Sequence, residues 1–260
     1  MKGHAPSKTW RPWDDRYDFP QFSGSPPHCY LIASTQRSGS YFLSHLLHSS
    51  GQMGAPLEYL HPEHAEGWRR ELDAGDFPTM MRKLFERRTS PNGWFGIKAH
   101  WDHFEFGRQS GLDELMRFDR FIRIERRDRI AQAVSLALAR QTKAWLSMQE
   151  QVREPEYQDH AIERAMLTLE RHSRNWDEWA AAAGVRPLQV YYEDLVEEPL
   201  EVVNGILREF GLTPMTSLPP VATARQASGV NHEWKRRYLS PTARAKRQLK
   251  AAVKQILRRA

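Results

Sequence analysis

The apolar run Cys29-Tyr30-Leu31-Ile32-Ala33-Ser34 passes straight into Thr35-Gln36-Arg37-Ser38-Gly39-Ser40. From there it enters Tyr41-Phe42-Leu43-Ser44-His45-Leu46-Leu47-His48, whose apolar residues recur at helical spacing up to Gly51. A short, mostly apolar run bounded by turn formers is the pattern of a strand buried on both faces. The stretch reads as buried strand, tight turn and helix, and such a strand requires helices above and below its sheet. Later segments keep the alternation. Strands are predicted at Phe95–Lys98, Arg120–Glu125 and Leu188–Tyr192, and helices at Ile130–Leu146 and Ile162–Ala183. In the last of these, Leu169, His172, Trp176 and Trp179 form a packing stripe. The expected fold is a three-layer α/β domain with a central, mainly parallel sheet flanked by helices. Its ligands belong at the carboxyl ends of the strands.

With 260 residues, 40% of them hydrophobic, the chain is long enough for one large domain and short for two independent ones. Residues 1–27, rich in Pro, Trp and polar groups, are expected to be an N-terminal arm. Trp10 and Trp13 argue that it docks, either on the body or on a second subunit. Residues 28–240 make the folded domain. Residues 241–260 make a basic amphipathic C-terminal helix with Ala245, Leu249, Val253, Ile256 and Leu257 on one stripe. That stripe has two readings, peripheral contact with an anionic membrane or packing on the body.

The formal net charge of +6 resides in this end of the chain: ten Lys or Arg between Lys235 and Ala260 leave 28 bases against 32 acids in residues 1–234. Bases gathered in a tail, with no aromatic-lined basic patch, exclude a nucleic-acid footprint. No run approaches the ~18 apolar residues of a membrane span, and Met1 to Pro6 lacks the apolar core of a secretory signal. The expected location is cytoplasmic, peripheral at the inner membrane face if the tail binds lipid. The single cysteine, Cys29, lies in an apolar run and is expected to be a buried structural thiol.

The turn Gln36-Arg37-Ser38-Gly39-Ser40 lies where a strand's carboxyl end meets a helix N-terminus, so backbone N–H groups and the positive end of the helix dipole converge. Gly39 permits close backbone approach, Ser38 and Ser40 add hydroxyl donors, and Arg37 adds a fixed charge. The turn is either an anion site or a polar turn capping an ordinary helix. A second strand-to-helix junction follows Ile124, where Arg126 and, two turns into the helix, Ser135 offer a second phosphate site. The alternative there is that Arg126, Arg127 and Arg129 are solvated and Asp128 caps the helix. A P-loop phosphotransferase needs G-x-x-x-x-G-K-[ST] and a carboxylate-held Mg²⁺, and the first turn has no lysine. The pairs His45/His48, His61/His64 and His100/His103 mimic metal-ligand spacing, but none completes a ligand set and no metal is expected.

Four segments, in order, carry a resemblance: Ala33 through Ser40; Pro56-Leu57-Glu58-Tyr59; Arg126 through Ser135 continuing to Ala139 through Trp145; and Arg225-Gln226-Ala227 with Glu233-Trp234 and Arg237-Tyr238. Together they resemble the bacterial carbohydrate sulfotransferases, the family that includes trehalose 2-sulfotransferase and, more distantly, the nodulation-factor sulfotransferases. The resemblance implies a P-loop-like fold for residues 28–240. It also implies transfer of a sulfuryl group from 3'-phosphoadenosine 5'-phosphosulfate to a hydroxyl of a carbohydrate or glycolipid, leaving adenosine 3',5'-bisphosphate. A sulfuryl group carries less charge than a phosphoryl group, so arginine and backbone donors suffice without a metal.

Carried over residue by residue, the resemblance implies that Gln36, Arg37, Ser38, Gly39 and Ser40 grip the 5'-phosphosulfate, with Arg37 also serving catalysis. It implies that Arg126 with Ser135 binds the 3'-phosphate, that Arg225 and Gln226 close over the nucleotide, and that Glu58 is the general base. Lys98, Trp101, Gln141 and Trp145 fall in family-like contexts that shape the acceptor site, and a homodimer is implied. Tyr41 stands where the family loop has Thr, and Ala55 where an acidic residue precedes the Pro, so trehalose is not carried over as the acceptor. A nucleotide-dependent phosphotransferase and a non-catalytic nucleotide-binding protein are the competing functions.

Overall fold

The computed structural model describes residues 12–145, 149, 151–219, 229–245 and 247. After a 3₁₀ turn at Asp15–Tyr17 the elements run β1 (His28–Ser34), α1 (Ser40–Ser49), α2 (Pro62–Glu71), α3 (Phe77–Arg88), β2 (Trp94–His100), α4 (Trp101–Gln109), α5 (Leu112–Leu115) and β3 (Arg120–Glu125). They continue with α6 (Arg129–Thr142), α7 (Asp159–Ala182), β4 (Leu188–Tyr191), α8 (Tyr192–Glu197), α9 (Pro199–Glu209) and α10 (Gly229–Leu239). The predicted strands are all present, and the α/β class is as expected. The helix predicted to reach Leu146 ends at Thr142, because Lys143 takes a left-handed φ of 60° as its C-cap; Leu146 lies outside the described residues.

The described backbone falls into two compact units. The first comprises the described residues 12–127 and 168–219 and contains the sheet, which among the described residues has four strands in the order β2-β1-β3-β4, every pair parallel. The chain leaves β1 to build β2 on one side of it and returns to place β3 on the other. The direction of winding thus switches between β1 and β3, and the carboxyl ends of these two strands are where an open α/β sheet takes its ligands.

Alternation along the strands fills the two faces. Leu31 and Ala33 of β1 with Phe95, Ile97 and Ala99 of β2 join Trp68 of α2, Met80, Leu84 and Phe85 of α3, Phe104 of α4 and Trp176 of α7. On the other face Tyr30, Ile32, Ile122 and Ile124 meet Leu43, Leu46 and Leu47 of α1 and Val203, Ile206 and Leu207 of α9. Each such aliphatic side chain removed from water contributes about 1.5–3 kcal/mol, which is why this unit and not a loop positions the strand ends. Cys29 is buried, and burial followed by the nearby Asp119 carboxylate pushes its thiol up to about 12.

The described part of the N-terminal arm docks on this same unit. Trp13 meets Trp68 edge-on, Phe19 N–H donates to Arg87 O at 2.8 Å, and Arg87 Nε donates to Asp18 at 2.9 Å. Tyr17 is buried with its hydroxyl 2.6 Å from His45 Nε2.

The second unit, formed by the described residues of 128–167 and 229–247, contains α6, the start of α7 and α10. Trp234 of α10 packs edge-on against Tyr157, and Lys235 pairs with Asp128. Of the predicted C-terminal helix, residues 241–245 are helical, and Arg247 lies 3.8 Å over the Tyr238 ring with Nη1 3.5 Å from Asp159. That basic side chain thus packs on an acidic residue of its own unit; the other residues of the segment lie outside the described set. Among the described residues, no helix is long and apolar enough to cross a membrane.

Candidate active site

The turn after β1 takes a backbone course that few residues adopt. Arg37 and Gly39 both take left-handed backbone angles, φ 64° and 86°, on either side of Ser38. Alternating handedness of this kind is the backbone pattern of anion-binding nests; here the Ser38 N–H donates to Thr35 O at 3.3 Å. A non-glycine residue at such an angle costs ~1–2 kcal/mol, so Arg37 is held there by its surroundings. Gly39 is the N-cap of α1 and offers no side-chain cap, and the first turn of α1 has no acidic residue to neutralise the helix dipole. Ser38 is fully buried, and its Oγ has no hydrogen-bond partner. A buried hydroxyl left in that condition in such a turn fits a bound phosphate or sulfonate oxygen.

The end of β3 faces the same point. Burial and then the Arg126 guanidinium push Arg37 down to about 10, with Tyr192 acting in the opposite sense. Arg37 stays cationic at neutral pH, and its proximity to the Arg126 guanidinium is repulsive, a cost that bound anions would offset. Tyr192, the first residue of α8, links the two junctions. The Arg126 guanidinium sits 4.8 Å over its ring, and a Cβ on Gly39 would come within 2.3 Å of that ring. Glu193 lies 4.0 Å from Arg126 Nε and accepts from Arg127 N–H at 3.0 Å, while the exposed Arg127 pairs with Asp194. Gly39→Ala is expected to lower stability by about 1–2 kcal/mol and, by displacing Tyr192, to weaken anion binding. Gly24→Ala, with φ 84° but nothing within 4 Å, carries the strain without the clash; urea unfolding and a bisphosphate titration of both variants measure the two effects separately.

Glu58 reaches the site by sheet geometry. Leu57 bridges Ile97 in parallel register, and its carbonyl accepts from Lys98 N–H at 3.0 Å. Leu57 and Tyr59 point into the core, where Tyr59 stacks on Phe95, so Glu58 turns the opposite way. Lys98, only 5% exposed, pairs with Glu58 Oε1, and His100 Nε2 lies 3.2 Å from the same oxygen. His100 Nδ1 is 2.9 Å from Ser34 Oγ, which is also 2.9 Å from Ala99 O. Ser34 ends β1, so the carboxylate is joined through His100 to the strand that opens into the Arg37 turn. Burial alone would raise the Glu58 carboxyl; the Lys98 ammonium and the His100 hydrogen bond overcome it and hold the group well below the usual carboxylate range. Glu58 is therefore ionised at neutral pH.

The sequence pairs His61/His64 and His100/His103 form one ring cluster, with centroid separations of 4.4 Å (His61–His64), 4.5 Å (His61–His103) and 5.1 Å (His100–His103). Burial, then His100, pushes His103 down to about 2, and burial lowers His64. Among the described residues, no group of three or more His, Cys, Asp or Glu is placed to hold a metal.

The other anticipated residues are spread more widely. Gln36, Arg37, Ser38, Gly39 and Ser40 form the turn, Arg126 faces it, and Lys98 adjoins Glu58. Trp101 packs edge-on against Trp176. In the second unit Ser135 is half-buried on α6, whose N-terminus Asp128 caps by accepting from Ala131 N–H at 2.9 Å. The Gln141 amide is clasped to the backbone of Glu156 at both ends, 3.0 and 2.9 Å, and Trp145 is exposed. Arg225 and Gln226 lie outside the described residues. Sequence reasoning missed Tyr192, though its place at the carboxyl end of a predicted strand was a signal, and it took His100 as half of a metal-like pair.

The model of the Stf0 sulphotransferase family matches residues 29–240. A trehalose 2-sulfotransferase of Mycolicibacterium smegmatis is 28% identical over 254 residues, covering 82% of this chain and 94% of that protein. One of Mycobacterium tuberculosis is 28% identical over 256 residues, covering 83% and 96%. Among solved structures, a sulfotransferase domain from the curacin biosynthetic pathway aligns with a TM-score of 0.45 at 16% identity, covering 74% of this chain and 77% of that one.

Proposed function

We infer the reaction from one premise: the chain belongs to the Stf0 sulphotransferase family. It is an enzyme that transfers a sulfuryl group to a carbohydrate; the donor, we propose, is 3'-phosphoadenosine 5'-phosphosulfate and the acceptor a sugar or glycolipid hydroxyl. The turn Gln36 to Ser40 takes the 5'-phosphosulfate and Arg126 the 3'-phosphate. For Ser135, Arg225 and Gln226 the assignment to the nucleotide rests on the family resemblance, as do those of Trp101, Gln141 and Trp145 to the acceptor and the homodimer.

The observation that carries this reading is a turn holding Arg37 and a buried, unpartnered serine hydroxyl, with Arg126 close by at the neighbouring strand end and an ionised carboxylate tied to the strand that opens into the turn. In the proposed step the acceptor oxygen attacks sulfur in line, and the bond from sulfur to the 5'-phosphate oxygen breaks. Its electron pair leaves on adenosine 3',5'-bisphosphate, and the hydroxyl proton passes to Glu58. Arg37 and the turn's N–H groups stabilise the charge that gathers on the departing oxygen.

Calorimetry tests the nucleotide assignment. Adenosine 3',5'-bisphosphate should bind more tightly than 5'-AMP, by about tenfold or more if the 3'-phosphate makes one charge-assisted contact of ~1.5–3 kcal/mol. Arg126→Ala should abolish that preference while retaining 5'-AMP binding. Equal affinity for the two nucleotides in the wild-type protein refutes the assignment. Labelled sulfate appearing on a sugar from the labelled donor tests the transfer itself.

A further inference from the structure

We propose that His100 is the positioning residue of the base: held by Ser34, it donates its Nε2–H to Glu58 Oε1 and leaves Oε2 to meet the acceptor hydroxyl. The proposal rests on Glu58 being the base. An ionised carboxylate oxygen only accepts, so the ring nitrogen that faces it at close range must carry the hydrogen for the contact to be attractive, and His100 Nε2 stands 3.2 Å from Oε1 as an ion-pair contact. With its proton there, a neutral imidazole presents a lone pair at Nδ1, and the Ser34 hydroxyl 2.9 Å away is the donor it needs. If the ring takes a second proton, Ser34 turns its hydroxyl hydrogen to Ala99 O, also 2.9 Å away, and accepts from Nδ1–H instead. Nε2 keeps its hydrogen on Glu58 in both charge states.

The anchor cannot drift. Ser34 is fully buried, it is the register partner of His100 across the β1–β2 ladder, and its carbonyl accepts from Trp176 Nε1 at 2.9 Å. Lys98 reaches the same Oε1, but on a four-carbon stem it fixes charge without fixing direction. An imidazole held at Nδ1 by Ser34, with Nε2 turned to Oε1, fixes direction. With Oε1 engaged twice, Oε2 has His64 Nδ1 at 3.9 Å, beyond hydrogen-bond length. The rung that holds the base is thus one residue from the turn that grips the donor. The separation between carboxylate and sulfuryl group is set by β-sheet geometry, and a displacement of ~1 Å in such a group costs about a hundredfold in rate.

The test combines a spectrum with kinetics on the full chain. In protein labelled with ¹⁵N-histidine, the His100 signals, assigned by their loss in His100→Gln, should show Nε2 protonated, and Ser34→Ala should shift Nδ1. A ring protonated at Nδ1 alone overturns the proposal, and this result needs no acceptor. With labelled donor and the sugar that the labelling experiment finds sulfated by the wild-type protein, His100→Leu should lower kcat by about 10–100-fold with adenosine 3',5'-bisphosphate affinity intact. His100→Gln, whose amide returns an N–H to the Nε2 position, should recover most of it. Equal losses in the two variants, or none in His100→Leu, reject positioning while Glu58→Gln remains inactive and the base reading stands. Turnover surviving in Glu58→Gln rejects the base reading itself.

Discussion

Replacing Glu58 with Gln is expected to lower kcat by about 10²–10⁴-fold and to leave the affinity for adenosine 3',5'-bisphosphate unchanged. The amide keeps the volume and one acceptor oxygen but takes up no proton, so attack by a sugar hydroxyl loses its base. The substitution also strands a charge. Lys98 is 5% exposed and Glu58 19%. Removing one partner of a fully buried pair costs ~3–5 kcal/mol, and the residual exposure of Glu58 places this case below that range. Loss of turnover therefore needs a control for loss of fold. Glu58→Gln combined with Lys98→Met removes both charges and should recover most of the stability, read by urea unfolding, and none of the turnover. A non-catalytic binding protein predicts no functional change in either variant. A phosphotransferase predicts Mg²⁺-dependent turnover of ATP, which should not be seen.

The first strand was legible because a strand buried on both faces is mostly apolar: the run Cys29 to Ser34 falls one residue short of β1, which begins at His28. Arg120 to Glu125 matches the bounds of β3, with Phe121, Ile122 and Ile124 carrying the signal and Arg123 buried among them. The Arg37 turn was legible for a related reason, since strand, left-handed turn and helix N-terminus are contiguous in the chain. Glu58 was reached only by family resemblance. Its partner Lys98 is 40 residues away and meets it through one isolated bridge between Leu57 and Ile97, a register that no local pattern encodes. His100 beside His103 imitates a metal pair because spacing says nothing about direction; in the sheet, alternation sends His100 to Glu58 and Ser34. The second junction holds part of both its readings, as Asp128 does cap α6 and Arg127 is exposed, yet Arg126 lies over Tyr192. Telling Arg126 from Arg127 required knowing that Tyr192 stands beside Gly39, which is a tertiary fact.

Lys98→Met should move the acid limb of the kcat profile upward. In the native protein the largest influence on the Glu58 carboxyl is burial, which favours the neutral acid, and Lys98 is the first of the groups that override it. Without the ammonium, burial is opposed by the histidines alone and the carboxyl rises from well below its ordinary value. The native enzyme should then keep its turnover down to pH 4.5 and below, whereas the variant loses it at a higher pH as the carboxylate protonates.

Stability should follow with a defined sign. A carboxyl depressed by folding contributes stability that is complete above its unfolded value, near 4.5 here, and is lost as pH falls through the folded value. The difference in unfolding free energy between native protein and variant should accordingly be widest at neutral pH and close in acid. Urea titrations at a series of pH values measure it. An acid limb that stays in place in Lys98→Met, with turnover otherwise intact, means that the group losing its charge is not Glu58, and the proton from the acceptor must then be taken up elsewhere.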